Sequence, residues 1–472
     1  MKRFRILILL ISCVILINGI HAQDLTGKID EAVNAFVELQ QFSGTVLVAK
    51  DGKPFYAKAF GEADKDHHVK NTLKTKFNIG SIGKTITGTA IMQLAEKGKL
   101  KVTDLASKYL TNFPFGDEIT IHHLLSHTAG TFNYMAHPDY RSKMATIRNV
   151  NDILPLIYDQ DLLFKNPGER FSYSNSGIVL LGAIIEQVTG QTYSDYIRKN
   201  ILDPIGMNDT GINFLDQPIE NRAAGYVKTP SGRFIRNIYM VPPASADGGI
   251  ETTVLDLLKF DQALYGDKLL GESYKQKMFT PNLNNYGYCW RISKQYGNTV
   301  IAHSGGAPGV NAAFQRYIND KYTIIVLSNY DVDRGRVAGT IEAILFGADY
   351  ELPRPTREEF LYGIMDKKGT ESLLKNYNTL LKENEYRIPN STPLNIFGYG
   401  LLQEHKVDYA IAIFKLNVEL FPDEANPYDS LGDGYLQIGD KQSAIKAFKK
   451  ALEIDSSFSS SKEKLDELLK NN

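Results

Sequence analysis

The stretch Phe77-Asn78-Ile79-Gly80-Ser81-Ile82-Gly83-Lys84 leads into an apolar-striped segment, Thr85 to Lys97, that stops at Gly98. Apolar residues on a helical period followed by glycine read as a helix with a glycine cap. Ser81 then stands at a helix N-terminus, where unpaired N–H groups and the helix dipole favour negative charge. Ser81 and Lys84 are three residues apart and share a face. A serine hydroxyl is a weak nucleophile until a neighbour takes its proton. A lysine can do so when burial or nearby positive charge lowers its proton affinity. The tetrapeptide alone decides little. Ser-x-x-Lys recurs at Ser372, Ser443, Ser459 and Ser461, and serine is a common helix cap. A phosphate-binding loop ending in Gly83-Lys84-Thr85 would need a glycine where Asn78 stands.

Outward from this segment, the middle of the chain is helical, for example Gly177 to Thr189 ending at Gly190. Strands lie on either side. Thr45–Ala49 and Pro54–Phe60 flank Lys50-Asp51-Gly52-Lys53, and Asp-Gly between β-rich runs is a hairpin signal. Thr299–His303, Ala312–Tyr317 and Tyr322–Ser328 read as three further strands. Strands at both ends of a helical middle predict an α+β fold: an antiparallel sheet flanked by helices, with a helical domain beside it.

Two more patterns follow Ser81. Tyr173-Ser174-Asn175 sits in Pro167-Gly168-Glu169-Arg170-Phe171-Ser172-Tyr173-Ser174-Asn175, which runs into Leu180-Leu181-Gly182-Ala183-Ile184-Ile185-Glu186, Thr189-Gly190 and Pro204-Ile205-Gly206-Met207. His303-Ser304-Gly305 comes last. With Leu124-Leu125-Ser126-His127-Thr128-Ala129-Gly130 and Gly248-Gly249-Ile250, these motifs, in this order over residues 40 to 345, resemble the class C β-lactamase and penicillin-recognising serine hydrolase superfamily. Related enzymes carry Ser-x-x-Lys, Ser-Asp-Asn and Lys-Thr-Gly. This chain has Tyr-Ser-Asn as its second element and His-Ser-Gly as its third.

The resemblance implies a β-lactamase/transpeptidase-like fold and assigns roles. Ser81 would form the acyl-enzyme, and Lys84 with Tyr173 would move its proton. Asn175 would bind the substrate amide. His303, Ser304, Gly305 and Gly306 would line the substrate. The N–H groups of Ser81 and Gly306 would form an oxyanion hole, where one donor is worth about 2.7–4 kcal/mol in a comparable protease. His303 stands where many relatives have a permanent cation. Its ordinary pKa near 6.5 would leave it partly charged at neutral pH, and a charged His303 would bind acidic substrates less well as pH rises. The expected activity is an acyl-enzyme hydrolase of esters or of amides next to a D-amino acid. The alternatives are a β-lactamase and a weakly catalytic penicillin-binding scaffold.

The rest of the composition narrows the setting. Lys2, Arg3 and Arg5 precede an apolar run, Ile6–Ile17, and Ala22 precedes Gln23. A basic start, an apolar run and a small residue at the cut describe a secretory signal, residues 1–22. The run is short against a membrane span of about 20 residues. It also continues past Cys13, which favours cleavage near Ala22 over lipid attachment at Cys13. A periplasmic or secreted location is therefore expected. Without Cys13, Cys289 has no partner for a disulfide and reads as a buried apolar side chain. A formal net charge of −1 argues against nucleic acid as a partner. His122, His123 and His127 have zinc-like spacing but lack a third ligand type nearby. No metal or cofactor is implied, and the expected ligand is a small molecule or peptide.

Pro353-Arg354-Pro355 marks a boundary. Beyond it, Pro393 and Pro427, Gly398 and Gly432, Ala410 and Ala444, and Phe414 and Phe448 are each 34 residues apart. That period resembles the tetratricopeptide repeat. The expected division is a hydrolase domain over 24–350, a linker with a degenerate repeat over 351–392, and all-α repeats with a capping helix over 393–472. The repeats would either receive a protein partner or serve as a packed extension.

Overall fold

The computed structural model describes residues 24–214, 216–237, 245–333 and 335–470. The signal segment expected over residues 1–22 lies outside them. Asp51 and Gly52 have φ of 49° and 72°, the positive values a two-residue hairpin turn requires. They join strands Gly44–Lys50 and Lys53–Phe60. A six-stranded antiparallel sheet results, in the order Arg291–Gln295, Asn298–Ala307, Val310–Tyr317, Tyr322–Ser328, Gly44–Lys50, Lys53–Phe60. Segments far apart in sequence meet inside it, where Val46 pairs with Val326.

Gly44–Lys50 reads as a nearly continuous apolar run because both of its faces are covered. Val46 and Val48 pack with Ile29, Phe36 and Ile341, which lie in helical residues 24–38 and helix Arg336–Phe346. Leu47 and Ala49 belong to a larger core with Ile86 of helix Gly83–Glu96, Phe260 of helix Val254–Tyr265 and Leu181 of helix Asn175–Thr189. The last of these helices ends at Gly190, whose φ of 67° caps it by an N–H to the Glu186 carbonyl. This is the antiparallel α+β arrangement that the sequence pattern predicts, in the β-lactamase/transpeptidase-like form that the resemblance implies.

The chain divides into two units. One runs to Val227 and resumes over Arg236–Pro353; the other comprises Lys228–Ile235 with Arg354–Asn472. The division after Pro353 falls within the Pro-Arg-Pro stretch. Segment 228–235, however, joins the helical unit, although the sequence reading placed it in the first domain. Its residues find partners there: Lys228 pairs with Glu359, and Arg233 approaches Glu404 at 3.8 Å. Helices Thr392–Gln403 and Val407–Leu420 form one antiparallel pair, and Ala425–Gln437 and Lys441–Ile454 the next. Gly398 lies against the Phe414 ring and Gly432 against Phe448 in the same geometry, so the 34-residue offset is a repeated helix crossing. Helix Ser459–Lys470 follows, with Lys464 paired to Asp429 and Asp433. Among the described residues no helix is long and apolar enough to cross a membrane.

Candidate active site

Ser81 sits in a short turn, Gly80–Ile82, that enters helix Gly83–Glu96. Gly80 makes the turn with φ of 49°, and Asn78 Oδ1 accepts its N–H at 2.8 Å. Strand Asn298–Ala307 runs close alongside. A Cβ on Gly80 would lie 2.9 Å from the Gly306 nitrogen, and one on Gly305 would collide with the Ile79 carbonyl. Small residues at both positions let the strand backbone lie beside the serine. Ser81, Asn175, Met135, Asn78, Asp247 and Gly306 are among the residues around a cleft of about 430 Å³.

Lys84 lies one turn along the helix and is fully buried. Its Nζ donates to Ser81 Oγ at 2.9 Å and to the Asp247 carbonyl at 2.5 Å. It also stands 5.3 Å from the centre of the Tyr173 ring. Tyr173 precedes helix Asn175–Thr189 and is half-buried. Its ring packs on His127, centroids 4.3 Å apart. Asn175 opens that helix and its Nδ2 reaches Met135 Sδ at 3.3 Å. The structure thus gathers Ser81, Lys84, Tyr173, Asn175, Gly305 and Gly306 from three separate stretches of chain. Strand alternation sends exposed Ser304 to the face opposite His303 and Gly305.

His303 differs from the sequence expectation. It is 4% exposed, and both ring nitrogens are used within the protein. Nε2 accepts the Tyr286 hydroxyl at 2.9 Å, and Nδ1–H donates to the Ser304 carbonyl at 2.7 Å. Burial, and then the positive charge of Lys84, push its pKa down to about 3. The ring is therefore neutral across the neutral range and cannot serve as a counter-ion for a substrate carboxylate. The sequence leaves this ring partly charged at neutral pH; its burial makes it neutral there.

His127 shows the same physics. Burial and the Lys84 charge hold it well below its ordinary value, and Nδ1 accepts the Ser174 N–H at 3.3 Å. His122 Nδ1 meets the Tyr288 hydroxyl at 2.8 Å, and His123 Nδ1 accepts the Thr120 N–H at 3.2 Å. These three rings serve local structure. Cys289 is a buried thiol that burial pushes up to about 12.

Sequence reasoning missed three site residues: Asp247, Tyr134 and Tyr286. Asp247 immediately precedes the Gly248-Gly249 pair that was singled out. Tyr286 opens Tyr286-Gly287-Tyr288-Cys289-Trp290, an aromatic cluster with a glycine. Aromatic residues at such spacing usually mean core, and no periodicity distinguishes the one that reaches a histidine.

The profile of the family described as Beta-lactamase matches residues 29–348. The chain belongs to that family. Penicillin-binding protein 4* of Bacillus subtilis (strain 168) is 34% identical over 342 residues, covering 67% of this chain and 75% of its own. A solved penicillin binding protein from Bacillus halodurans superposes with a TM-score of 0.62 at 32% identity, covering 66% of this chain and 98% of its own. A D-stereospecific amidohydrolase from Streptomyces sp. has a TM-score of 0.60 at 24% identity, covering 69% and 99%; that likeness concerns the fold alone. Members of this family are serine hydrolases, and the site described above lies inside the matched span.

Proposed function

We propose that the chain is an exported hydrolase that forms an acyl-enzyme on Ser81 and cleaves esters or amides next to a D-amino acid. The observation that carries this reading is the 2.9 Å hydrogen bond between Lys84 Nζ and Ser81 Oγ at the edge of an open cleft. A bond forms from Ser81 Oγ to the substrate carbonyl carbon. The Ser81 proton passes to the Lys84–Tyr173 pair and on to the leaving group as its bond breaks. The N–H groups of Ser81 and Gly306 receive the developing oxyanion, and Asn175 binds the substrate amide. Water then hydrolyses the ester on Ser81 and returns the proton.

The neutral His303 favours substrates that need no cation at that position. That supports esters and D-aminoacyl amides over rapid β-lactam turnover. The similarity to penicillin-binding proteins supports an acyl-D-alanine mimic as a slow substrate. Export rests on Lys2, Arg3, Arg5, the Ile6–Ile17 run and Ala22, with a mature chain beginning at Gln23 in the periplasm or outside the cell. The helical repeats are read as a tetratricopeptide-like surface for a protein partner.

Turnover of a p-nitrophenyl ester, a D-alanyl amide, its L-isomer and a penicillin tests this. The reading predicts ester and D-amide hydrolysis, with the penicillin turned over slowly. Rapid penicillin hydrolysis with neither ester nor D-amide activity would overturn it.

A further inference from the structure

Among the described residues that line the cleft beside Ser81, Met135 is the one large apolar side chain; the others are asparagines, glycines, Ser81, Asp247 and Ala307. Met135 is partly exposed. It lies in the short turn Tyr134–Ala136, where Asn133 Oδ1 accepts its N–H at 3.3 Å. Its neighbour Tyr134 is fully buried. The Tyr134 N–H donates to Ser176 Oγ at 2.8 Å, and the Tyr134 hydroxyl donates to Asp247 Oδ2 at 3.2 Å. Ser176 follows Asn175 in helix Asn175–Thr189. The turn is therefore tied to the end of the helix that carries Asn175, and Asn175 Nδ2 donates to Met135 Sδ at 3.3 Å.

A thioether sulfur is a weak acceptor. An amide carbonyl is a stronger one, so a substrate amide takes Nδ2 from the sulfur when it binds at Asn175. Methionine has three rotatable bonds and a polarisable end. With its backbone held, the side chain turns aside from Nδ2 without moving the turn, and its sulfur and methyl stay beside the substrate. It then offers apolar surface, which gains by covering apolar surface and is attracted to aromatic rings. The leaving group has to face the Lys84–Tyr173 pair, from which it receives its proton. The part of the substrate that meets Asn175 and Met135 is therefore the acyl group.

We propose that Met135 is a specificity-determining residue: its side chain is the apolar wall of the acyl subsite and selects acyl groups that carry an aromatic or bulky apolar substituent. This rests on the reading of Ser81 as nucleophile and names the substrate class within it. Esters of arylalkanoic acids and amides of aromatic D-amino acids are favoured over acetyl esters and D-alanyl amides. The rest of the lining does not supply this selection, because asparagine and aspartate side chains favour polar groups and the glycines present only backbone. Small apolar differences in an enclosed hydrophobic pocket change kcat/KM about 10- to 200-fold. A single wall of an open cleft belongs at the lower end of that range.

The test is the ratio of kcat/KM for p-nitrophenyl phenylacetate to that for p-nitrophenyl acetate, two neutral esters with one leaving group. It is measured on the full chain and on Met135→Ala, Met135→Leu, Met135→Gln and Ser81→Ala. Met135→Ala is expected to lower the ratio about tenfold. Met135→Leu keeps an apolar side chain of similar size and should hold the ratio near that of the wild type. Met135→Gln keeps the length but is polar; it should lower the ratio as well, and it decides alone if the alanine variant does not fold. A ratio that neither alanine nor glutamine changes, even with both rates reduced, means a purely structural residue and overturns the proposal. A fall in Met135→Leu as large as in Met135→Ala assigns the effect to the sulfur on Asn175 and overturns the apolar wall. Ester turnover retained in Ser81→Ala rejects the nucleophile itself. Turnover lost there, with an unchanged ratio in the Met135 variants, rejects only the role of Met135.

Discussion

The Tyr286 hydroxyl donates to Nε2 of His303 at 2.9 Å, in a pocket where the imidazole is almost wholly buried. With Nδ1–H on the Ser304 carbonyl, one neutral tautomer is fixed. Tyr286→Phe would leave a buried acceptor without its donor, and that costs about 1–3 kcal/mol. A lower urea midpoint for Tyr286→Phe checks this; an unchanged midpoint would mean that the pair contributes nothing to stability.

A neutral His303 also predicts how acidic ligands behave. Inhibition of ester turnover by an N-acyl-D-alanine should have the same Ki from pH 5 to pH 8. A Ki that rises steeply through pH 6.5 would restore the charged imidazole that the sequence position suggests.

The same group ties folding to pH. The His303 pKa falls from 6.5 to about 3 on folding, so between these values the unfolded chain binds a proton that the folded chain does not. Its contribution is present above pH 6.5 and is lost as pH falls toward 3, by about 1.4 kcal/mol per pH unit for one proton. Asp333 works in the opposite sense. Burial raises its carboxyl from 3.8 to about 6, so its contribution is present below pH 3.8 and is lost as pH rises to 6. The change of the urea midpoint from pH 4 to pH 7 should therefore be less positive in His303→Gln than in the wild type. Parallel curves would contradict the buried neutral ring.

Lys84 and Tyr173 should act on the chemical step. Lys84→Met and Tyr173→Phe are expected to lower kcat for an ester by about a hundred- to ten-thousand-fold, with little change in KM. A rise in KM at constant kcat in either variant would assign that residue to binding.

Gly80 couples the turn to the strand. Alanine there must adopt φ of 49°, which costs about 1–2 kcal/mol, and its Cβ would press on the Gly306 nitrogen. Gly80→Ala should lower the melting temperature and reduce kcat, because the Gly306 donor is pushed from its place. Unchanged kcat would separate Gly306 from the oxyanion hole.

Where the sequence carried a local signal, the fold was legible. Asp51-Gly52 announced its turn, and Gly98 and Gly190 announced helix ends. The 34-residue spacing announced a crossing in which Gly398 and Gly432 meet Phe414 and Phe448. Arg291–Gln295 was not legible. Arg-Ile-Ser-Lys-Gln has one apolar residue to bury and lies at the sheet edge, where charged side chains are favoured. The roles of Ser81, Lys84, Tyr173 and Asn175 came from motif resemblance, and the fold places them together. Asp247, Tyr134 and Tyr286 could not be read because their meaning depends on burial and on partners distant in sequence. Asp247 and Tyr134 are separated by 113 residues.

The claim that Ser81 is the nucleophile is tested most directly by intact-mass spectrometry of acid-quenched protein after brief exposure to a p-nitrophenyl ester, beside Ser81→Ala. The account predicts one acyl increment on the wild type and none on Ser81→Ala. The same increment on a folded Ser81→Ala protein would contradict it.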